Sequence, residues 1–326
     1  MKSEILRLLK ENDDYLSGQQ ICDRFRVSRT AVWKVMEQLK KEGYQIEAVR
    51  NKGYRLIDSP DVMSRAEIES LTKDGWAGAD VVYYEETDST NNRAKEAGEK
   101  GGKHGTLFVA ERQTAGKGRR GRGWESPAGT SIYMTLLLHP DILPVKAPQL
   151  TLVMAVAVAE GIRKATGLCC QIKWPNDIVI HGRKVCGILT EMSAEIDYIN
   201  YVVIGVGINV NQETFPEEIK DKAISLRMEL GSSVRRSGLI AAVMESFEAY
   251  YETFLKTEDL SAMKERYNSF LVNRDEKVRV LEPCNEYEAY ALGINDAGEL
   301  IVRTKDGQEK AVYAGEVSVR GVYGYV

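Results

Sequence analysis

One stretch, residues 111–124, limits the possible folds and functions of the chain more than any other part of the sequence. Its residues 116–123 are four glycines interleaved with four cations, and Trp124 follows them. Glycine permits positive φ and lets main-chain N–H groups approach a ligand closely. Consecutive N–H groups in such a loop form an anion-binding concavity, and arginine adds planar donors for carboxylate or phosphate. The stretch therefore predicts a loop that binds an anionic ligand, with Trp124 as a flat surface for stacking.

Two common phosphate-binding motifs do not describe this loop. The P-loop pattern fails because Lys117 is followed by Gly118 and no glycine stands five residues before Gly116. The residues from Gly116 to Gly121 match the dinucleotide-binding pattern G-x-G-x-x-G. That pattern must stand at the start of a helix, whereas here Pro127 follows shortly and leads into an apolar strand. A solvated basic loop is the remaining alternative. Apolar strands on both sides favour a tethered ligand loop.

Residues 1–60 have the pattern of a winged helix-turn-helix. An apolar face at positions 5–9 predicts a first helix. Ser17 and Gln20 have the spacing of a capping box at the start of a second helix, and Ser28 can cap a third. Glycine at position 43 ends the third helix, and two short strands after it form a hairpin wing.

The charge of this segment is concentrated on the third helix and the wing. Between Arg24 and Arg55, nine Lys or Arg against three Glu leave a net charge of +6, whereas residues 1–23 carry three basic and five acidic residues, a net of −2. A recognition helix and its flank would meet DNA phosphates there. The residues expected to contact DNA are Ser28, Arg29, Thr30, Trp33, Lys34, Arg50 and Lys52. A winged helix used only for protein contacts is the alternative.

Length and composition indicate a cytoplasmic protein of several domains. At 326 residues the chain is too long for one ordinary core. The net charge of −4 gives no global signal for nucleic acid. The N-terminus has no signal-peptide pattern, and the apolar run 152–159 is too short to span a membrane. The five cysteines form no C-x-x-C pair, which fits a reducing compartment without a disulfide framework or zinc site. They are Cys22, Cys169, Cys170, Cys186 and Cys284.

The remaining chain predicts an α+β arrangement. Strands and helices alternate through residues 61–272, with hairpins, which indicates a mixed β-sheet covered by helices. Residues 273–326 read as short strands separated by turns, the last of them at 317–322, for which a small SH3-like β-barrel is the natural closed solution. The predicted domains are therefore 1–60, 61–272 and 273–326.

Several motifs resemble, in order, those of the bacterial biotin–protein ligases that carry an N-terminal helix-turn-helix and also repress the biotin operon. The Gly/Arg loop is one of them, although Lys117 stands where arginine is usual. The others are Asp88-Ser89-Thr90-Asn91, Lys173-Trp174-Pro175-Asn176-Asp177, Gly182-Arg183-Lys184-Val185-Cys186-Gly187 and Gly205-Val206-Gly207-Ile208-Asn209-Val210. The resemblance implies a central domain of the biotin/lipoate ligase, class II synthetase-like type.

The resemblance also implies the chemistry. ATP would activate the biotin carboxylate as biotinyl-5'-AMP, and the biotinyl group would pass to a lysine of a carboxylase carrier domain. Lys184 and Arg119 are the implied catalytic residues. Those implied for biotin are Ser89, Thr90, Asn91, Gln113, Lys117, Gly118, Arg119 and Lys184. Those implied for ATP and the adenylate are Arg119, Arg122, Trp124, Asn176, Asp177, Lys184 and Asn209.

Further expectations concern partners. Mg²⁺ is expected as the counterion of ATP, although the sequence shows no cluster of carboxylates dedicated to binding it. Operator DNA and a homodimer formed on ligand or DNA binding are expected, and residues 212–223 resemble a loop that could order over the adenosine. His104, His139 and His181 have no metal-ligand spacing and are interpreted as structural or exposed.

Three alternatives remain open. Lys184 could be an exposed charge that blunts an edge strand. Lipoate ligation is possible because lipoate ligases share the fold, although the Gly/Arg loop argues against it. The enzyme domain could also be a catalytically silent biotin sensor, which the presence of Arg119 and Lys184 disfavours.

Overall fold

The structure is a computed structural model that describes residues 1–72, 74–282, 285–313, 318–321 and 325–326. Cys284 and the ends of the predicted strand 317–322, Val317 and Val322, lie outside the described residues.

The N-terminal segment is a winged helix-turn-helix, as predicted. Its elements are α1 (Lys2–Lys10), α2 (Gly18–Phe25), α3 (Arg29–Lys41), β1 (Gln45–Val49) and β2 (Gly53–Asp58). The capping box of Ser17 and Gln20 opens α2, and the Ser28 side chain accepts a hydrogen bond from the Ala31 backbone at the start of α3. Ile5, Leu6 and other apolar residues of this segment form a hydrophobic cluster of their own.

The middle of the chain folds into a mixed sheet with helices. Its elements are α4 (Arg65–Thr72), β3 (Val81–Thr87), α5 (Thr90–Glu99), β4 (Leu107–Gln113), β5 (Ser131–Leu138), α6 (Gln149–Thr166), β6 (Gln171–Lys173), β7 (Asp177–Ile180), β8 (Arg183–Ala194), β9 (Ile199–Asn209), α7 (Leu226–Leu230), α8 (Arg236–Thr257) and α9 (Lys264–Phe270). Among the described strands the sheet order is β3-β4-β5-β9-β8-β7-β6, with β3 and β4 parallel and the other neighbours antiparallel. The prediction of a mixed sheet is confirmed.

Helices cover both faces of this sheet. Every residue of β5 is buried. On one face α6 packs against α8, and α5 lies against β5 and β9 on the other. By length and composition the helical stretch Pro144–Thr166 could cross a membrane, but two thirds of its most apolar window is buried inside the protein. It is placed as the central helix of a folded core.

The C-terminal segment is a small antiparallel sheet. Its elements are β10 (Lys277–Glu282), β11 (Asn285–Ile294), β12 (Leu300–Thr304), β13 (Glu309–Val312) and β14 (Ser318–Gly321). These described strands pair in the order β13-β12-β11-β10-β14, which agrees with the predicted SH3-like class. Val280 and Val302 belong to the same hydrophobic cluster as the central domain. The indole of Trp174 donates to the Gly298 carbonyl at 3.0 Å, so this sheet supports the segment that precedes β7.

Candidate active site

The Gly/Arg loop is a short hairpin that projects from the end of β4. Lys117 and Gly123 form a β-bridge, and the Gly118 N–H donates to the Arg122 carbonyl at 2.7 Å. A 3₁₀ turn, Arg119–Gly121, makes the tip. A Cβ at Gly116 would lie 2.4 Å from the Trp124 carbonyl oxygen, so only glycine fits there. Positive φ, expected of this stretch, occurs at the tip, in Gly121 and Arg120.

Arg119 reaches from the loop to the segment before β7. Its guanidinium donates to Asn176 Oδ1 at 2.9 Å, and Asn176 Nδ2 in turn donates to the Ile188 carbonyl at 3.0 Å. Burial lowers the pKa of Arg119, while the charge of Asp177 opposes that effect. The group stays cationic at neutral pH because arginine loses its proton only above about 12. A fixed, partly desolvated cation therefore stands at the pocket.

Lys184 lies on β8, which β7 and β9 flank. A register irregularity between Ile178 and Val179 in the β7–β8 pairing brings its side chain beside Asp177, with Nζ 2.6 Å from Oδ1. The same Nζ lies 5.2 Å from the centre of the Trp124 ring. Because β8 is internal and the ammonium points at the loop, this position does not fit an edge-strand charge. Bulged pairing is one means by which sheets aim a functional side chain.

Asp177 is held from a second side by Tyr325, whose hydroxyl donates to Oδ2. The ammonium of Lys173 lies 3.2 Å from the centre of the Tyr325 ring. Tyr325 thus packs across both charged residues of the Lys173–Asp177 motif. No motif in the sequence pointed to this tyrosine.

Three glycines line the floor of the pocket. Gly187 lies on β8, and Gly205 and Gly207 alternate on β9, so the latter two share one face of the sheet. A Cβ at Gly207 would lie 2.7 Å from the Trp124 indole. Within the described part of the chain, the buried Trp124 Nε1 has no hydrogen-bond partner. The ring therefore packs closely on the glycine backbone, which leaves no room for a side chain at position 207.

The polar end of the pocket is the start of α5. Ser89, Thr90 and Asn91 are all buried there. Ser89 stands at the N-cap position but its side chain accepts no capping bond. Gln113 Oε1 instead accepts from the Thr90 N–H at 2.9 Å and from its hydroxyl at 3.1 Å. The hydroxyl and amide groups are thus oriented by the loop stem, beyond what a helix cap requires.

Two residues of this network were missed by sequence reasoning. Thr135 Oγ1, fully buried, lies 2.8 Å from Thr90 Oγ1 and 2.7 Å from Asn91 Oδ1. Glu191 accepts from Asn91 Nδ2 at 2.8 Å and pairs with Lys95. Burial opposes ionisation of Glu191, but these hydrogen bonds lower its pKa. Thr135 had a visible signal, since it is the polar residue within the apolar run of β5.

The other predicted site residues stand at the margin. Lys117 is exposed and donates to Asn92 Oδ1 at 3.1 Å. Arg122 is exposed on the loop. Asn209 Nδ2 lies 3.4 Å and 3.3 Å from the carbonyls of Lys184 and Ile224, so in this structure it supports the backbone of β8. The Lys184 N–H donates to the Lys222 carbonyl, which places the end of the 212–223 segment beside the pocket.

No group of three or more His, Cys, Asp or Glu side chains in the described residues could hold a metal ion. The histidines have ordinary structural contacts. His181 pairs with Glu229 at 2.9 Å, and the His139 backbone donates to the His104 ring.

The predicted DNA-contacting residues lie on α3 and the wing. Ser28 is used as the cap of α3, and Arg29 donates to Gln19 at 2.8 Å. The other members of the set are exposed: Thr30, Trp33, Lys34, Arg50 and Lys52. Trp33, with 54% of its surface exposed, is unusual for a tryptophan on a small domain.

Comparisons with known proteins agree with this arrangement. The sequence profile of the biotin/lipoate A/B protein ligase family matches residues 83–209, that of an HTH domain residues 2–55, and that of the biotin protein ligase C-terminal domain residues 275–320. The chain is 41% identical over 322 residues to the bifunctional ligase/repressor BirA of Bacillus subtilis, covering 98% of each. It is 30% identical over 315 residues to the Escherichia coli protein of the same description, covering 96% of this chain and 95% of that one.

A solved structure gives the same result. The biotin protein ligase from Aquifex aeolicus, in complex with biotin and ATP, is similar with a TM-score of 0.66 at 31% identity. The match covers 74% of this chain and 99% of that one.

Proposed function

Since the chain belongs to the family of bifunctional biotin ligases and repressors, we propose that it biotinylates a carrier domain at the expense of ATP and represses transcription in response to biotin. The ligase activity is supported by one observation above all: Arg119, Lys184 and Trp124 come together at a pocket whose floor consists of glycines. The repressor activity is supported by the winged helix-turn-helix on the same chain.

Biotin and ATP are the substrates, and we assign the pocket as follows. The ureido ring of biotin, polar and uncharged, lies against Ser89, Thr90 and Asn91. Its carboxylate faces Lys117, Gly118 and Arg119. A charge-assisted bond from a guanidinium is stronger than one from a neutral donor, so Arg119 contributes most of the hold on the anion.

Adenylation requires positively charged groups beside the atoms on which negative charge develops. The biotin carboxylate attacks the α-phosphorus of ATP, and pyrophosphate leaves with the electrons of the broken bond. Lys184 stabilises the negative charge that spreads over the α-phosphate oxygens, and Asp177 keeps its ammonium in place beforehand. Since no cluster of carboxylates among the described residues would hold a metal ion, Mg²⁺ would arrive bound to the nucleotide and would supply counter-charge to its phosphates.

The adenylate is surrounded by the flat indole of Trp124 and by Arg122, Asn176 and Asn209. Stacking on the indole ring, which lines the pocket, would contribute to binding of the adenylate. The 212–223 segment, which already bonds to β8 beside Lys184, closes over the adenosine. In the second half-reaction the carrier lysine attacks the biotinyl carbonyl and releases AMP.

The domain boundaries that fit this function are 1–60 for DNA binding, 61–272 for catalysis and 273–326 for support. A separate hydrophobic cluster in the first segment favours its independence. The catalytic and C-terminal segments share one cluster, which favours their working as a unit. Ligand-dependent dimerisation would present two recognition helices to two half-sites of operator DNA.

One assay separates this function from its rivals. The protein is incubated with ATP, Mg²⁺ and a biotin-accepting carrier domain, with either biotin or lipoate, and intact-mass spectrometry follows the carrier. A biotinyl addition on the lysine, and none from lipoate, is the expected result. Lipoyl addition would favour the lipoate ligase alternative. An unmodified carrier in both arms would favour a catalytically silent sensor.

A further inference from the structure

Arg236 is a buried cation that the assigned pocket does not use. It is the first residue of α8, and only 3% of its surface is exposed. The N-terminus of a helix carries a partial positive charge, which disfavours a cation there. Burial of an unpaired charge is costlier still. An arginine at this position therefore needs strong partners.

Its partners come from both stems of the Gly/Arg loop. Arg236 NH1 donates to Glu111 Oε1 at 2.7 Å and lies 3.3 Å from the Ser131 carbonyl. Glu111 is on β4, which leads into the loop, and Ser131 begins β5, which leads out of it. Glu111 Oε1 also accepts the Gly129 N–H at 2.6 Å. One ion pair thus clamps the two ends of the loop together.

The other side of Arg236 faces the linker that follows the DNA-binding domain. Its Nε donates to Asp61 Oδ2 at 2.9 Å, its backbone N–H to Oδ1 at 2.8 Å, and NH2 lies 3.2 Å from the Asp61 carbonyl. Asp61 thereby also satisfies a backbone donor at the start of α8. The linker and the loop stems share a single guanidinium.

The next residue of α8 extends the connection into the DNA-binding domain itself. Ser237 Oγ donates to Glu67 Oε1 at 3.1 Å, and Glu67 is 3% exposed. The same carboxylate accepts from Lys10 of α1 at 2.6 Å and from the buried Tyr44 hydroxyl at 2.6 Å. The start of α8 therefore contacts the linker and the loop stems directly and is connected to the helix-turn-helix through Glu67 of α4.

We propose that Arg236 is a positioning residue for adenylate formation, which holds the two stems of the Gly/Arg loop together through Glu111 and fastens them to the linker through Asp61. The inference rests on the proposed ligase function. Gln113, two residues beyond Glu111 on the same strand, orients Thr90, so a shift of β4 would disturb both ends of the biotin site. The linker is then connected to the biotin site although Asp61 does not line the pocket.

The test uses Glu111→Gln, Asp61→Asn and Arg236→Lys in the full-length protein. Glutamine and asparagine keep the shape and lose the charge, and lysine keeps the charge but cannot bridge both carboxylates. Glu160→Gln is the matched control, because Glu160 is similarly buried and pairs with Arg266 on α9, away from the loop. The readout is biotin-dependent ATP–pyrophosphate exchange, as the half-saturating biotin concentration and the maximal rate.

Loss of a charge-assisted contact predicts about a tenfold rise in half-saturating biotin for Glu111→Gln and Arg236→Lys. Asp61→Asn should shift it in the same direction, and all maximal rates should stay near that of wild type. Glu160→Gln should change neither value. A merely structural role would reduce the amount of active enzyme, and so the maximal rate, at unchanged half-saturation, which would overturn the proposal. Unchanged values in Glu111→Gln and Arg236→Lys would also overturn it. A wild-type protein without biotin-dependent exchange would instead refute the ligase function itself.

Discussion

Lys184 and Asp177 face each other across the irregular pairing of β7 and β8, with Nζ 2.6 Å from Oδ1. Their side chains are 26% and 14% exposed, so the ion pair is only partly open to water. Held in this way, the ammonium needs little reorganisation when charge develops on a phosphate beside it.

Replacement of Lys184 by alanine should slow adenylate formation by roughly 10²–10³, the usual effect of removing a preorganised electrostatic group. The measurement is single-turnover formation of biotinyl-adenylate at saturating biotin and ATP. Lys164→Ala, an exposed lysine of α6, is the control and should match wild type. A wild-type rate in Lys184→Ala would show that the ammonium does not act on the transition state.

Arg119→Ala should weaken binding of biotin and of a stable biotinyl-adenylate analogue together, because in the proposed arrangement one guanidinium would serve both anionic groups. Loss of such a contact typically costs about 1.5–3 kcal/mol. Calorimetric titration with each ligand measures the two affinities. Arg120→Ala, at an exposed position in the same turn, should have a much smaller effect. Equal affinities in Arg119→Ala and wild type would place the anion elsewhere.

Gly116→Ala should deform the loop, since its new Cβ would lie 2.4 Å from the Trp124 carbonyl oxygen. Overpacking of this kind costs about 1–3 kcal/mol. The cost should appear as weaker biotin binding rather than a lower melting temperature, because the loop is largely exposed. Gly123→Ala meets no atom within 4 Å and serves as the control within the same loop. If both variants bound biotin equally well, the close approach at Gly116 would have no functional role.

Lys34→Ala should weaken DNA binding through loss of a phosphate contact. The slope of log affinity against log salt should fall by about 1 for a mixed-sequence duplex. Fluorescence anisotropy at several salt concentrations gives the slope, and Lys164→Ala is again the control. An unchanged slope would remove Lys34 from the DNA interface.

Much of the fold was predictable because its signals are local. The capping box at Ser17, the cap at Ser28 and the apolar run of β5 each depend on neighbours in sequence. Motifs with several polar groups in a short segment, such as 89–91, were recognised for the same reason. Ten of the residues assigned from motifs do line one pocket: Ser89, Thr90, Asn91, Gln113, Lys117, Gly118, Arg119, Trp124, Asn176 and Lys184.

The interactions that complete the site could not be read from local patterns. Thr135 and Thr90 are 45 positions apart in the sequence, and they come into contact only because α5 packs against β5 in the folded protein. Arg236 meets Glu111 across 125 positions. The glycines of the loop were interpreted as a group, by their freedom to adopt positive φ and their close approach to a ligand, whereas the structure requires Gly116 for space beside Trp124. Each of these depends on strand order and on contacts between distant segments.

Biotin activation and DNA binding are expected to be coupled within one chain. Bound biotinyl-adenylate would neutralise the cations of the Gly/Arg loop and order it, and an ordered loop can form a dimer surface that a mobile one cannot. Operator affinity should then rise by a coupling of about 1–3 kcal/mol. Linkage requires operator DNA to strengthen adenylate retention by the matching factor once dimerisation is included.

The direct measurement is binding of a duplex that the protein itself selects from a randomised pool. Affinity is determined at fixed salt across protein concentrations, with and without biotin plus ATP. We expect tighter and more steeply concentration-dependent binding when both ligands are present, and no change with either ligand alone at low concentration. Equal affinity in the presence and absence of biotin plus ATP would contradict this expectation, because the ligase and the DNA-binding domain would then merely share a chain.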